Sequence, residues 1–175
     1  MAQKGLILLY TGNGKGKTTA ALGQVLRAAG HGFKTAIVQF IKNLDNTGEI
    51  KAAKKIFAEH LEIYPMGTGF TWESKDMDEL RRAAEKGWSL AREKIESGKY
   101  RMVILDELTY ALNYGLLDQD EVLEYLARKP EKMHIIITGR NASDKLIDLA
   151  DLVTEMKEIK HPYRKGIKAM KGIEF

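Results

Sequence analysis

Not one of the 175 residues is cysteine, and that single absence removes disulfides, thiolate zinc sites and cysteine nucleophiles together. Three prolines leave few backbone positions fixed by composition alone. Nowhere does an uninterrupted apolar run approach the roughly 20 residues that a membrane-spanning helix needs. The opening stretch MAQKGLILLY lacks an apolar core long enough for a signal peptide and runs straight into a glycine-rich loop. A cytoplasmic protein with no membrane partner is the expectation. The four histidines, at 31, 60, 134 and 161, are scattered without metal-ligand spacing, so none is a candidate ligand or catalytic base.

What is present is ordinary in bulk and uneven in detail. A chain of this length buries roughly 70% of its unfolded surface as one domain, and residues 1–175 are expected to form one. The net charge of +4 is mild, yet Lys160, Arg164, Lys165, Lys168 and Lys171 crowd a basic tail at about 160–175. That tail is either a solvated surface or a contact for a phosphate-rich ligand. Only Tyr163 and Phe175 are aromatic there, too few for a nucleic-acid stacking platform.

Apolar runs and amphipathic stretches alternate along the chain. GLILLY (5–10), KTAIVQF (34–40), RMVILDE (101–107) and MHIIITG (133–139) are continuous apolar runs, as strands buried on both faces require. Short strands are expected near 61–64 and 152–158. Helical periodicity marks 18–29, with Leu22, Val25, Leu26 and Ala29 spaced for burial, and 76–97, with Leu80, Ala84, Trp88, Ala91 and Ile95 on one stripe. Further helices are expected at 48–57, 118–128 and 143–150. The alternation predicts an α/β domain with a mainly parallel sheet and helices on both faces. In such sheets ligands gather at the carboxyl ends of the strands. Those ends are 11–18, 39–42, 67–72, 106–109 and 138–140, so five segments should line one crevice.

The first of them is a phosphate-binding loop. A strand, a glycine-rich turn and a helix flank Gly16-Lys17-Thr18 in the required order. A regular G-x-x-x-x-G-K-[ST] motif would have glycine at position 11; here Thr11 stands there, with glycines at 12 and 14. Gly12, Gly14 and Gly16 offer positive φ and room for oxygens to reach the amides. Lys17 is a cation for phosphate oxygens, Thr18 a hydroxyl for Mg²⁺, Lys15 a second cation and Asn13 a short polar reach.

Four other features carry chemistry. Asp106 ends an apolar strand, where it would hold Mg²⁺ through water. Glu107 beside it would be a general base, a second magnesium contact or a partner for a cation. Arg140, closing IIITGR, is either a solvated arginine or a cation aimed at phosphate across the crevice. Phe70 and Trp72 in TGFTWE either cap the core or form an aromatic wall for a large planar ligand, since alternation by two places both rings on one side.

Taken together, TGNGKGKTTAALG, IVQFIK, GTGFTWE, VILDELTYAL, IIITGR and the tail KHPYRKGIKAMKGIEF resemble the phosphate-loop class of ATP:corrinoid adenosyltransferases, from residue 5 to residue 175. In that family GNGKGKT is the usual loop, so Thr11 is no defect. The resemblance implies a RecA-like P-loop NTPase fold, a homodimer, and transfer of the 5′-deoxyadenosyl group of MgATP to the Co(I) of a reduced corrinoid with triphosphate leaving. Its nucleotide positions fall on Gly12, Asn13, Gly14, Lys15, Gly16, Lys17, Thr18, Thr19, Arg27, Glu107 and Arg140. The metal, Mg²⁺ with Mn²⁺ as substitute, falls to Thr18 and Asp106. Lys17, Phe70 and Trp72 take the catalytic roles, with the two aromatics under the corrin ring in place of its lower axial ligand. A flavodoxin-type protein is the implied reductant. Arg27 stands about 15 Å along the helix from Lys17. Some members cover the site with a longer N-terminal segment; here either the closure is looser or another segment, with the basic tail as candidate, supplies the cover. A small RecA-like ATPase and a P-loop metabolite kinase are the competing readings, and the aromatic segment belongs to neither.

Overall fold

The computed structural model describes residues 4–42, 47–69 and 76–173. Six strands form one sheet: β1 (Ile7–Thr11), β2 (Thr35–Gln39), β3 (Leu61–Pro65), β4 (Met102–Asp106), β5 (His134–Thr138) and β6 (Leu152–Glu155). Their order is β3-β2-β4-β5-β1-β6, and every neighbouring pair is parallel. Helices α1 (Lys17–Gly30), α2 (Gly48–Lys55), α3 (Met77–Glu96), α4 (Leu108–Asn113), α5 (Gln119–Ala127) and α6 (Asp144–Leu149) connect them.

Strand alternation divides the core into two layers. Val103, Leu105, Ile135 and Ile137 face one cluster with Leu80, Ala91 and Ile95 of α3, Leu126 of α5 and Leu146 of α6. Met102, Ile104 and Ile136 face the other, with Ala21, Val25 and Ala28 of α1 and Ala53 of α2. Because successive side chains point to opposite faces, each apolar strand feeds both layers, and helices cover both sides as expected.

Three expectations need correction. The buried stripe of α1 is Lys17, Ala21, Val25 and Ala28, whereas Leu26 is 62% exposed. Small alanines let the helix lie close to the sheet, so size rather than hydrophobicity chose the face. On α3, Gly87 joins the buried stripe, where a side chain would press on Phe40 at 3.2 Å, and Trp88 packs against the core only partly buried. Helix α4, directly after β4, was not anticipated. Its six residues are shorter than the window that periodicity needs, and it starts from Glu107 in the left-handed region (φ 61°) with no side-chain cap.

Candidate active site

The carboxyl ends of β1, β2, β4 and β5 meet around a cavity of about 540 Å³. It is lined by Gly14 to Thr19 of the phosphate loop and α1, by Lys42, Glu49, Glu107 and Arg140, and by Gly172 and Ile173 of the tail. Along the sheet edge Lys42 stands beyond β2, the Asp106–Glu107 pair at β4, Arg140 after β5 and the loop after β1. Four of the five expected segments thus converge. The fifth includes Phe70 and Trp72, which lie outside the described residues.

The glycines of the loop do two jobs. Gly12 (φ 92°) and Gly16 (φ 105°) occupy the left-handed region that favours glycine. Gly14 does not; a Cβ there would sit 2.7 Å from the Met156 carbonyl oxygen, so it is glycine for close approach. The Gly14 N–H donates to that carbonyl at 2.6 Å, and the Met156 N–H donates to the Thr11 carbonyl at 2.8 Å. Thr11 is buried, and its hydroxyl accepts the Ala142 N–H at 3.3 Å. The chain leaving β6 therefore clamps the loop through backbone bonds to Thr11 and Gly14, while the Thr11 hydroxyl ties the loop's start to the segment after β5.

Inside the loop Lys17 Nζ donates to the carbonyls of Gly12 (2.9 Å) and Gly14 (2.8 Å). Burial pushes this ammonium below its ordinary pKa against the pull of Glu107. Thr18 Oγ1 donates to Asp106 Oδ1 at 2.8 Å. Asp106 is almost fully buried and also accepts from Thr138 Oγ1 at 2.8 Å and Gln39 Nε2 at 3.2 Å. The Gln39 Oε1 atom is buried without a hydrogen-bond partner among the described residues. A hydroxyl, a carboxylate and an orphaned amide oxygen in one place form the hard oxygen donor set that Mg²⁺ takes with waters and phosphate. The residues fit that ion.

Glu107 donates its backbone N–H to Thr138 Oγ1 at 2.9 Å, so one hydroxyl ties the Asp106 carboxylate to the Glu107 backbone. Burial is the main cause holding the Glu107 carboxyl above its ordinary range, and Asp106 adds to it. A raised folded pKa gives stability below the unfolded carboxylate value and loses it as pH rises through the folded value. Above the unfolded carboxylate value the raised pKa of Glu107 is thus a cost to the ligand-free fold. Glu107→Gln should raise Tm at pH 7.5, and the gain should vanish by about pH 4. A Tm unchanged or lowered at pH 7.5 would contradict this, as measured by scanning calorimetry.

Arg140 is exposed and faces the cavity from a backbone that α4 holds in place. Its carbonyl accepts from Thr109 Oγ1 at 2.7 Å and Asn113 Nδ2 at 3.2 Å. Arg27 is exposed at the last turn of α1 and is not among the cavity residues. Asn13 is exposed at the loop tip, also away from the lining. Gln39, Thr138, Lys42 and Glu49 were not singled out from sequence. Three of them, Gln39, Lys42 and Thr138, belong to strand ends named there; their only signal is that position. Lys42 Nζ bonds Glu49 Oε1 at 3.0 Å and stands 3.8 Å from Asp106 Oδ2. Burial would lower its pKa, but Asp106 and Glu49 outweigh it and hold the ammonium above its ordinary value.

A parallel sheet whose first strand runs through a glycine loop into a helix, facing an acid at the end of β4, defines a P-loop nucleotide-binding protein. Among solved structures a KaiC-like protein from Pyrococcus horikoshii superposes with a TM-score of 0.55 over 90% of this chain and 75% of that one, at 18% identity. That similarity concerns the fold alone. Residues 3–175 match the family ATP:corrinoid adenosyltransferase BtuR/CobO/CobP, and the chain belongs to that family of enzymes. Relatives bearing the name corrinoid adenosyltransferase are 48% identical in a Sinorhizobium species (99% of this chain, 81% of the relative) and 43% identical in Pseudomonas aeruginosa (99% and 85%). One from Escherichia coli K12 is 40% identical, over 99% and 87%. The family transfers the adenosyl group of ATP to a reduced corrinoid, and no observation favours a motor ATPase or a kinase.

Proposed function

We propose that the chain binds MgATP in this cavity, presents its C5′ to a Co(I) corrinoid and releases triphosphate whole. The observation that carries the reading is a cavity rich in cations and, among the described residues, without a His, Cys or Ser. Lys15, Lys17, Lys42 and Arg140 line it. Chemistry at C5′ needs no protein nucleophile, because the cobalt of the substrate is one.

The electron pair of Co(I) forms the Co–C bond as the C5′–O5′ bond breaks, and the departing pair stays on the triphosphate. No proton moves. The protein's task is positioning and neutralising charge that grows on the leaving group. Lys17, Arg140 and the loop amides face that charge. Thr18 and Asp106 would hold Mg²⁺, which supplies further neutralisation when bound. Glu107 and Arg27 are assigned to the nucleotide by resemblance. ATP lies reversed in the loop, its γ-phosphate in the place that other nucleotides give to α.

Phe70 and Trp72 are assigned to the lower face of the corrin ring, where excluding the axial ligand eases reduction of Co(II) by a flavodoxin-type donor. Trp72→Ala should spare MgATP binding and lose most activity when Co(II) must be reduced in place. Equal loss with pre-reduced Co(I) would contradict that role. Exposed Leu152 and Val153 on the edge strand β6 support a homodimer. No described helix is long and apolar enough to cross a membrane. Gly172 and Ile173 beside the loop support the tail as the cover of the site. The direct test is incubation with MgATP and chemically reduced cobalamin. Inorganic triphosphate and a light-sensitive cobalt–carbon product are expected; ADP without that product would contradict the reading.

A further inference from the structure

We propose that Lys42 is a catalytic residue that contacts the corrinoid-facing end of the triphosphate, the end that gains charge as the C5′–O5′ bond breaks. The assignment rests on the reading above, in which the nucleotide lies reversed.

The sheet order makes the case. The phosphate loop follows β1, and its amides and Lys17 surround one end of a bound triphosphate. From there the sheet edge runs through β5 and β4 to β2, and Lys42 stands at the far end of that row. A triphosphate chain is longer than one loop can enclose, so its other end lies over Asp106, toward β2. In the reversed orientation that end is the α-phosphate, which carries O5′. The cation nearest to it from the β2 side is Lys42, 3.8 Å from Asp106 Oδ2.

Its surroundings suit that task better than a purely structural one. Glu49, in the first turn of α2, holds the ammonium at 3.0 Å, and the Lys42 side chain remains one-third exposed at the cavity. With a single firm partner, an ammonium keeps donors for phosphate oxygens. An ion pair wanted for stability alone would gain little at this exposure. Glu49 instead keeps a flexible stem from swinging into solvent, which aims the charge before substrate arrives.

The test uses the full chain and inorganic triphosphate with Mg²⁺ as the calorimetric probe, alongside adenosyl transfer to Co(I) cobalamin. Lys42→Gln should weaken triphosphate binding about tenfold or more and lower kcat about 10²-fold, with KM for the corrinoid little changed. Lys42→Arg should recover most of the binding. Glu49→Gln, which removes the holder but leaves the charge, should lower triphosphate affinity about threefold, a smaller loss than in Lys42→Gln. Wild-type affinity in Lys42→Gln would overturn the assignment, as would equal losses in Lys42→Gln and Glu49→Gln, which mark a merely structural pair. Should the glutamine variant fail to fold, Lys42→Arg decides: affinity within about threefold supports the assignment and a tenfold loss overturns it. Formation of ADP by the wild type would defeat the underlying reading instead. Triphosphate release with an indifferent Lys42 would defeat this assignment alone.

Discussion

Lys17→Ala should lower kcat/KM for adenosyl transfer by about 10³-fold and weaken MgATP binding measurably, with the fold intact. Two losses combine in that figure. The first is the cation itself, buried and set against the phosphate position, where low dielectric makes each charge count more than in water. The second is loop shape. Lys17 Nζ is shared between the Gly12 and Gly14 carbonyls, and without it those oxygens turn toward the anion site they flank. Arginine should not rescue, since its planar fork does not fit a loop in which Gly14 is pressed against Met156. Retention of a tenth of wild-type kcat/KM in Lys17→Ala would contradict the placement of the leaving group in this loop.

Asp106→Asn comes next in expected size. The amide keeps the volume of a side chain that is 1% exposed and can still accept from Thr138, so the fold should hold. The charge is what disappears. Thr18, Gln39 and Lys42 all converge on this carboxylate, and in the proposed Mg²⁺ position the Thr18 hydroxyl and the unpartnered Gln39 Oε1 would supply further oxygens. The expected result is a fall in kcat of about 10²- to 10³-fold with a Mg²⁺ requirement shifted to higher concentration. The Mg²⁺ dependence of initial rates measures both. A rate loss with an unshifted Mg²⁺ requirement would remove Asp106 from the metal position and leave it as a scaffold for Thr18.

The parts of the site that were legible share one trait: they sit on local patterns. The loop announces itself by glycine spacing between a strand and a helix. Asp106 and Arg140 end apolar runs, where a parallel sheet collects its ligands. Lys42 follows such a run too, but a lysine after a strand has no distinguishing spacing. Its meaning depends on β2 lying next to β4, a pairing across more than sixty residues that periodicity cannot supply. The face of α1 was misjudged for a related reason. Leu22 and Leu26 are the larger apolar residues, yet Ala21 and Ala28 permit the closer approach to β1 and β5 that the loop geometry imposes. The role of Gly14 was likewise hidden, because the Met156 carbonyl that needs the space comes from the far end of the chain.

The central claim is that the loop grips a triphosphate so that the whole group leaves from carbon. ATP carrying ¹⁸O at the 5′ oxygen tests it most directly. Attack at C5′ breaks the bond between carbon and that oxygen, so all of the label should appear in inorganic triphosphate when the enzyme turns over with Co(I) cobalamin. Label retained on the nucleoside product would mean attack at phosphorus, and would contradict the account.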